Sequence, residues 1–78
     1  VNQTYLSPRE IFIHALRYEA VHLVLVHNHP SGRVTPSEAD IQSTLRIREA
    51  GKLLGIQVSD HIIVAGDSYL SMLERGIL

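Results

Sequence analysis

The sequence predicts a small α/β domain. Three observations carry that expectation: a capped helix start at Ser7-Pro8-Arg9-Glu10, a β-branched apolar run just after that helix, and a second helix start at Thr35-Pro36-Ser37-Glu38 followed by more β-branched residues. The implied order of helix, strand, helix, strand, strand is an alternating α/β pattern.

Each element follows from local chemistry. Ser7 can cap the first helix, Pro8 suits its first turn and Glu10 can reach back. The helix is expected to run to about Tyr18, with Ile11, Ala15 and Leu16 among the candidates for its buried face. Residues 20–26 read Ala-Val-His-Leu-Val-Leu-Val, which predicts a strand buried on both faces in the centre of a sheet. Pro30, Ser31 and Gly32 stop it. The second helix has two rival caps, Thr35 with Pro36 at the first helical position, or Ser37. It is expected to end near Leu54, where Gly55 offers a left-handed stop. Ile41, Leu45, Ile47, Leu53 and Leu54 supply its apolar stripe, and Gly51 weakens its interior. Residues 56–58 and 61–64 form one strand or two, with a break near Ser59-Asp60. A turn at residues 65–68 leads to a last short strand at residues 69–73.

The bulk numbers narrow the function classes. The 78 residues suit one domain, expected to be a piece of something longer because no initiator Met is present. There is no cysteine, so any metal must be held by His and carboxylate ligands, and the composition fits a reducing, cytoplasmic setting. No apolar run approaches the roughly 18 residues of a membrane span, and no signal peptide is visible. Net charge is −1, and the seven basic residues are dispersed along the chain. That balance gives no support to strong nucleic-acid binding.

The chemistry concentrates in His27-Asn28-His29-Pro30-Ser31-Gly32 and the residues behind it. Side chains alternate on a strand, so His27 and His29 share a face while Asn28 points away. His22 falls on the opposite face from His27. The loop after Pro30 can fold the first turns of the second helix back over the strand end, bringing Asp40 to the two imidazoles. Two His and one carboxylate leave a fourth position open for water, the pattern of a catalytic zinc, and iron also accepts such a set. Ser37, on the same helix side as Asp40, can donate to an oxyanion on a substrate carbonyl. Plainer readings exist. The H-x-H pair can be a strand-edge and a turn residue, and Asp40 can be a capping-box carboxylate, a role expected to compete with ligation. His14 is expected at the surface of its helix or half-buried, and a structural role is expected for His61, which can hydrogen-bond Asp60. Tyr5, Tyr18 and Tyr69 read as core-edge residues, and Arg33 as a loop cation able to meet a substrate carboxylate or phosphate.

At these residues the chain resembles a known family. His27-Asn28-His29-Pro30-Ser31-Gly32 followed by Pro36-Ser37-Glu38-Ala39-Asp40 is similar to the JAMM motif of JAB/MPN domains, in its bacterial RadC branch. Pro8-Arg9-Glu10, Gly55-Ile56 and Asp60-His61-Ile62-Ile63-Val64 extend the resemblance over nearly the whole chain. It implies a cytidine-deaminase-like α/β sheet flanked by helices and lacking its first strands. It also implies Zn2+ on His27, His29 and Asp40, with Ser37 polarising the oxyanion. The implied activity is a metallopeptidase or isopeptidase acting on a protein or peptide substrate. The alternatives are a non-catalytic interaction module and the DNA-repair role attached to the RadC label. An HNH nuclease does not fit, because its named residues are dispersed. A zinc deaminase does not fit either, since its H-x-E and P-C-x-x-C elements are absent. The JAMM motif also includes an upstream glutamate as general base, and neither Glu10 nor Glu19 matches its position.

Overall fold

A computed structural model of the chain describes residues 7–78. Helix α1 spans Pro8–Arg17, strand β1 His22–Asn28, helix α2 Glu38–Leu54, strand β2 Gln57–Ala65 and strand β3 Ser68–Ser71. The α/β expectation holds: the sheet has the order β1-β2-β3, with β1 and β2 parallel and β2 and β3 antiparallel. Among the described residues, no helix is long and apolar enough to cross a membrane. Tyr5 lies outside the described residues.

Both helix starts are capped. Ser7 Oγ accepts the Glu10 N–H, with Pro8 opening α1. For α2 the cap is Ser37, not Thr35, and it forms a full capping box with Asp40. Gly55 ends α2 in the left-handed region, as expected. The buried face of α1 is Phe12 and Ala15, whereas Leu16 is 52% exposed. On α2 the buried residues are Asp40, Thr44, Ile47 and Gly51, while Leu53 is 90% exposed. The expected apolar stripe is thus displaced toward polar positions, because the helix turns its first two turns to the end of β1. Gly51 is there for space. A Cβ at this position would sit 2.4 Å from the Ile56 carbonyl oxygen, where the chain leaves α2 for β2.

Strand β1 begins two residues later than expected, and it is buried on one face only. Leu23, Leu25 and His27 turn inward, while His22, Val24, Val26 and Asn28 are exposed. Val26 is 67% exposed. The expectation of burial on both faces fails because, among the described residues, the outward face of β1 is left open to solvent; β1 is also an edge strand, with a neighbour only in β2.

The break expected near Ser59-Asp60 is a bulge inside one strand. Leu23 pairs with Val58 but Val24 pairs with Asp60, so Ser59 is the extra residue. The bulge shifts side-chain parity. Directly paired residues on parallel strands share a face, so Val58, His61 and Ile63 all join Leu23, Leu25 and His27 on the inward side. Asp60 pins this point: its Oδ1 accepts from the His61 and Leu73 N–H groups, and its Oδ2 from the Ser71 hydroxyl.

Two apolar clusters flank the site. Phe12, Ala15, Ile47, Ile56 and Val58 pack at one end of the sheet. Ile63, Leu70 and Met72 pack at the other. Tyr18 and Tyr69 lie outside both and are largely exposed, contrary to a core-edge role.

Candidate metal centre

His27 is the penultimate residue of β1, and His29 follows the strand end, tied to β2 by a bond from its N–H to the Val64 carbonyl. Their rings meet edge to face with centroids 4.6 Å apart. Asp40, on the first turn of α2, is nearly fully buried. One donor atom from each of His27, His29 and Asp40 lies within 4.8 Å of the others. His29 Nε2 stands 3.0 Å from Asp40 Oδ2, and His27 Nδ1 stands 3.8 Å from Asp40 Oδ1. Tetrahedral zinc with bonds near 2.0–2.1 Å separates its donors by about 3.3 Å. The donor set and its spacing therefore fit such an ion.

The backbone fixes how His29 presents itself. His29 Nδ1 lies 2.8 Å from the Arg33 carbonyl oxygen. A carbonyl only accepts, so Nδ1 carries the hydrogen and Nε2 is the nitrogen turned to Asp40. Nε2 and a carboxylate oxygen at 3.0 Å need a proton or a cation between them. A backbone carbonyl holding the outer nitrogen of a His is the usual support of a metal-ligating imidazole. The Arg33 side chain is exposed, and what this residue brings to the site is its main-chain oxygen.

Capping and ligand geometry coexist on Asp40. Its Oδ2 accepts the Ser37 N–H at 2.8 Å, and its own N–H donates to Ser37 Oγ at 3.0 Å. A carboxylate has about four lone-pair sites, so the cap orients the group without consuming it. The cap bond and the approach of His29 fall on the same oxygen, Oδ2, while Oδ1 faces His27. Burial pushes the Asp40 carboxyl up, but the Ser37 backbone and side chain, and then His27 and His29, bring it below its ordinary value. Asp40 is therefore held as a carboxylate. Ser37 is exposed beside it, at the N-terminus of α2.

Two residues at the site carry no sequence signal as functional groups. Thr44, one turn below Asp40, is fully buried. Its hydroxyl lies 2.7 Å from the Asp40 carbonyl and 2.6 Å from His61 Nδ1. His61 stacks on the His27 ring with centroids 5.8 Å apart. Its imidazole therefore meets Thr44, while Asp60 takes only its main-chain N–H. Burial first, and His27 second, push the His61 pKa down, against the opposing pull of Asp40 and Asp60. Thr44 and His61, with His27 and Asp40, line a cavity of about 440 Å³ whose walls also include Leu23, Leu25 and Ile47. His14 and His22 are exposed and stand outside the three-residue group.

Residues 1–77 match the sequence profile of the RadC-like JAB domain. The chain is 53% identical over all of its residues to a UPF0758 protein of Geotalea uraniireducens, covering 34% of that protein. It is 50% identical over its whole length to a UPF0758 protein of Pelobacter propionicus, again covering 34% of the relative. A UPF0758 protein of Staphylococcus haemolyticus is 49% identical over 97% of the chain, which covers 33% of that relative. The chain thus spans about a third of the length of the curated relatives it matches. With the profile match running nearly end to end and the His-His-Asp group assembled in space, the chain belongs to the RadC-like JAB domain family.

Proposed function

We propose that this domain is the metal-holding part of a zinc-dependent hydrolase that cleaves peptide or isopeptide bonds. The observation that supports it most is the convergence of His27, His29 and Asp40, whose donor atoms lie within 4.8 Å of one another. These three residues would hold the ion and leave a fourth position for chemistry. Zinc bound there supplies Lewis-acid activation of water and of a carbonyl oxygen. The chain's own groups do the rest. Ser37 Oγ already accepts the Asp40 N–H, which leaves its hydrogen available to donate. With the helix N-terminus behind it, that hydroxyl is suited to stabilise charge developing on a substrate carbonyl oxygen. The largely apolar cavity that His27 and Asp40 help to line would give a substrate peptide a place to lie.

A proton acceptor for the attacking water is the remaining need. Glu10 and Glu19 are exposed, on α1 and in the turn after it, and neither belongs to the His-His-Asp group. That role would fall to a carboxylate from another part of the full-length protein. The decisive experiment uses the full-length protein. Zinc content and cleavage of a fluorescence-quenched peptide library are measured for the natural chain and for His27→Ala, His29→Ala and Asp40→Ala. Stoichiometric zinc and cleavage, both lost in the three variants, are expected. Zinc retained in all three, or cleavage unaffected by them, would sink the reading.

A further inference from the structure

We propose that His61, acting through Thr44, is a positioning residue that locks Asp40 in register with His27 and His29; this rests on the metal-centre reading above. The metal group is built from two parts of the fold. His27 and His29 ride on the sheet, whereas Asp40 rides on α2. A helix packed by apolar contacts alone can slide or rotate by fractions of an ångström, while a metal site requires ligand distances within about ±0.2 Å. Something directional has to join the helix to the sheet close to the ligands.

The Thr44–His61 bond is that join, and its polarity follows by elimination. Thr44 has one hydroxyl hydrogen and two close partners, the Asp40 carbonyl at 2.7 Å and His61 Nδ1 at 2.6 Å. The carbonyl can only accept, so the Thr44 hydrogen goes to Asp40. The hydrogen between Thr44 and His61 then belongs to His61 Nδ1. A directional chain runs from β2 to the backbone of the ligand residue, entirely among buried groups. The same imidazole lies against the ring of His27 at 5.8 Å. His61 thus touches one ligand directly and reaches a second through one hydroxyl.

The fold makes a specific provision for this contact. If the same residues ran as a regular strand with no bulge at Ser59, His61 would fall on the outward face of β2, since it lies an odd number of positions from the inward Val58. The bulge turns it inward, and three bonds to the Asp60 carboxylate hold the bulge in place. Two apolar side chains at positions 44 and 61 would fill the space without the desolvation that a buried polar pair requires. The polar pair contributes direction that packing alone does not.

The test uses the full-length protein and compares Thr44→Val and His61→Leu, which break the chain, with Thr44→Ser and His61→Asn, which keep a hydroxyl and a donor near the Nδ1 position. Zinc affinity is read by competition with a chromophoric chelator, and coordination geometry by the visible absorption of the Co2+-loaded protein. Loss of supporting contacts around ligands typically costs 10–100-fold in metal affinity. Thr44→Val and His61→Leu are expected to weaken zinc by roughly tenfold or more and to alter the Co2+ spectrum. The double variant should be no weaker than the worse single one, because both break the same chain. Thr44→Ser and His61→Asn should stay within about threefold of the natural protein, a rescue that loss of folding cannot mimic. Natural-protein affinity and spectrum in both Thr44→Val and His61→Leu would overturn the inference alone. A natural protein that binds no zinc would overturn the metal-centre reading and this inference with it.

Discussion

Asp40 serves two structures with one carboxylate, closing the cap of α2 and facing two imidazoles. The duties separate by substitution. Asp40→Asn keeps an oxygen for the Ser37 N–H but loses the charge, so zinc binding should vanish while the metal-free protein changes stability by less than about 1 kcal/mol. Asp40→Ala removes both, and the metal-free protein should lose about 1–2 kcal/mol. Elemental analysis and urea unfolding in the presence of a chelator read the two effects apart. At this scale the His-His-Asp group was legible because H-x-H on a strand and a carboxylate at a helix start are patterns of residue type and spacing. Thr44 was not, because a lone threonine in a helix is usually neutral in meaning. Its role depends on a partner 17 residues away in the chain. The Arg33 contribution was invisible for a different reason: it is a main-chain atom, which every residue has.

Elements were legible in order and type, and less so in which side faces in. Strand parity is predictable only while a strand is regular, and the Ser59 bulge resets it near the start of β2. The bulge rests on Asp60 bonds to Ser71 and Leu73, contacts with a separate segment that no local pattern announces. Burial raises the Asp60 pKa, but Ser71, Leu73 and His61 together bring it below its ordinary value. A carboxyl lowered in the folded state contributes stability above its unfolded pKa of about 3.9, and that contribution is lost as pH falls through the folded value. Urea midpoints of the metal-free protein should fall on acidification below about pH 4, and Asp60→Asn should flatten that slope while lowering stability at neutral pH. Gly51 makes a second prediction about an element. Alanine is worth up to about 1 kcal/mol over glycine inside a helix. Here its methyl would meet the Ile56 carbonyl at 2.4 Å. Gly51→Ala should therefore destabilise by about 1–3 kcal/mol, read by thermal unfolding, instead of stabilising.

The whole molecule puts a helix and a sheet on either side of one ligand group, so an ion bound there fastens the two layers together. Stabilisation by a ligand of the native state is about 2.7 kcal/mol at a hundred times its Kd. In a domain this small, each kcal/mol moves Tm by about 4–8 °C. Saturating zinc should raise Tm by at least 10 °C or so by this reckoning, an excess of chelator should reverse it, and His29→Ala should show neither response. Covering a third of its relatives, the chain contributes a sheet whose outer face remains open at Val24 and Val26. That openness is why the expected two-sided burial of β1 was wrong: a continuous apolar run reports that a strand is meant to be covered, and it does not say by which residues.

The hold of Arg33 on His29 has a consequence for how the loop between them tolerates change. Because the acceptor is a carbonyl oxygen 2.8 Å from the ring, the side chain at that position is free to differ while the number of residues is not. A single inserted residue displaces the acceptor by as much as about 3.8 Å along the chain, beyond the reach of the imidazole. The stretch from Pro30 to Arg33 acts as a ruler, accepting new letters and refusing new length.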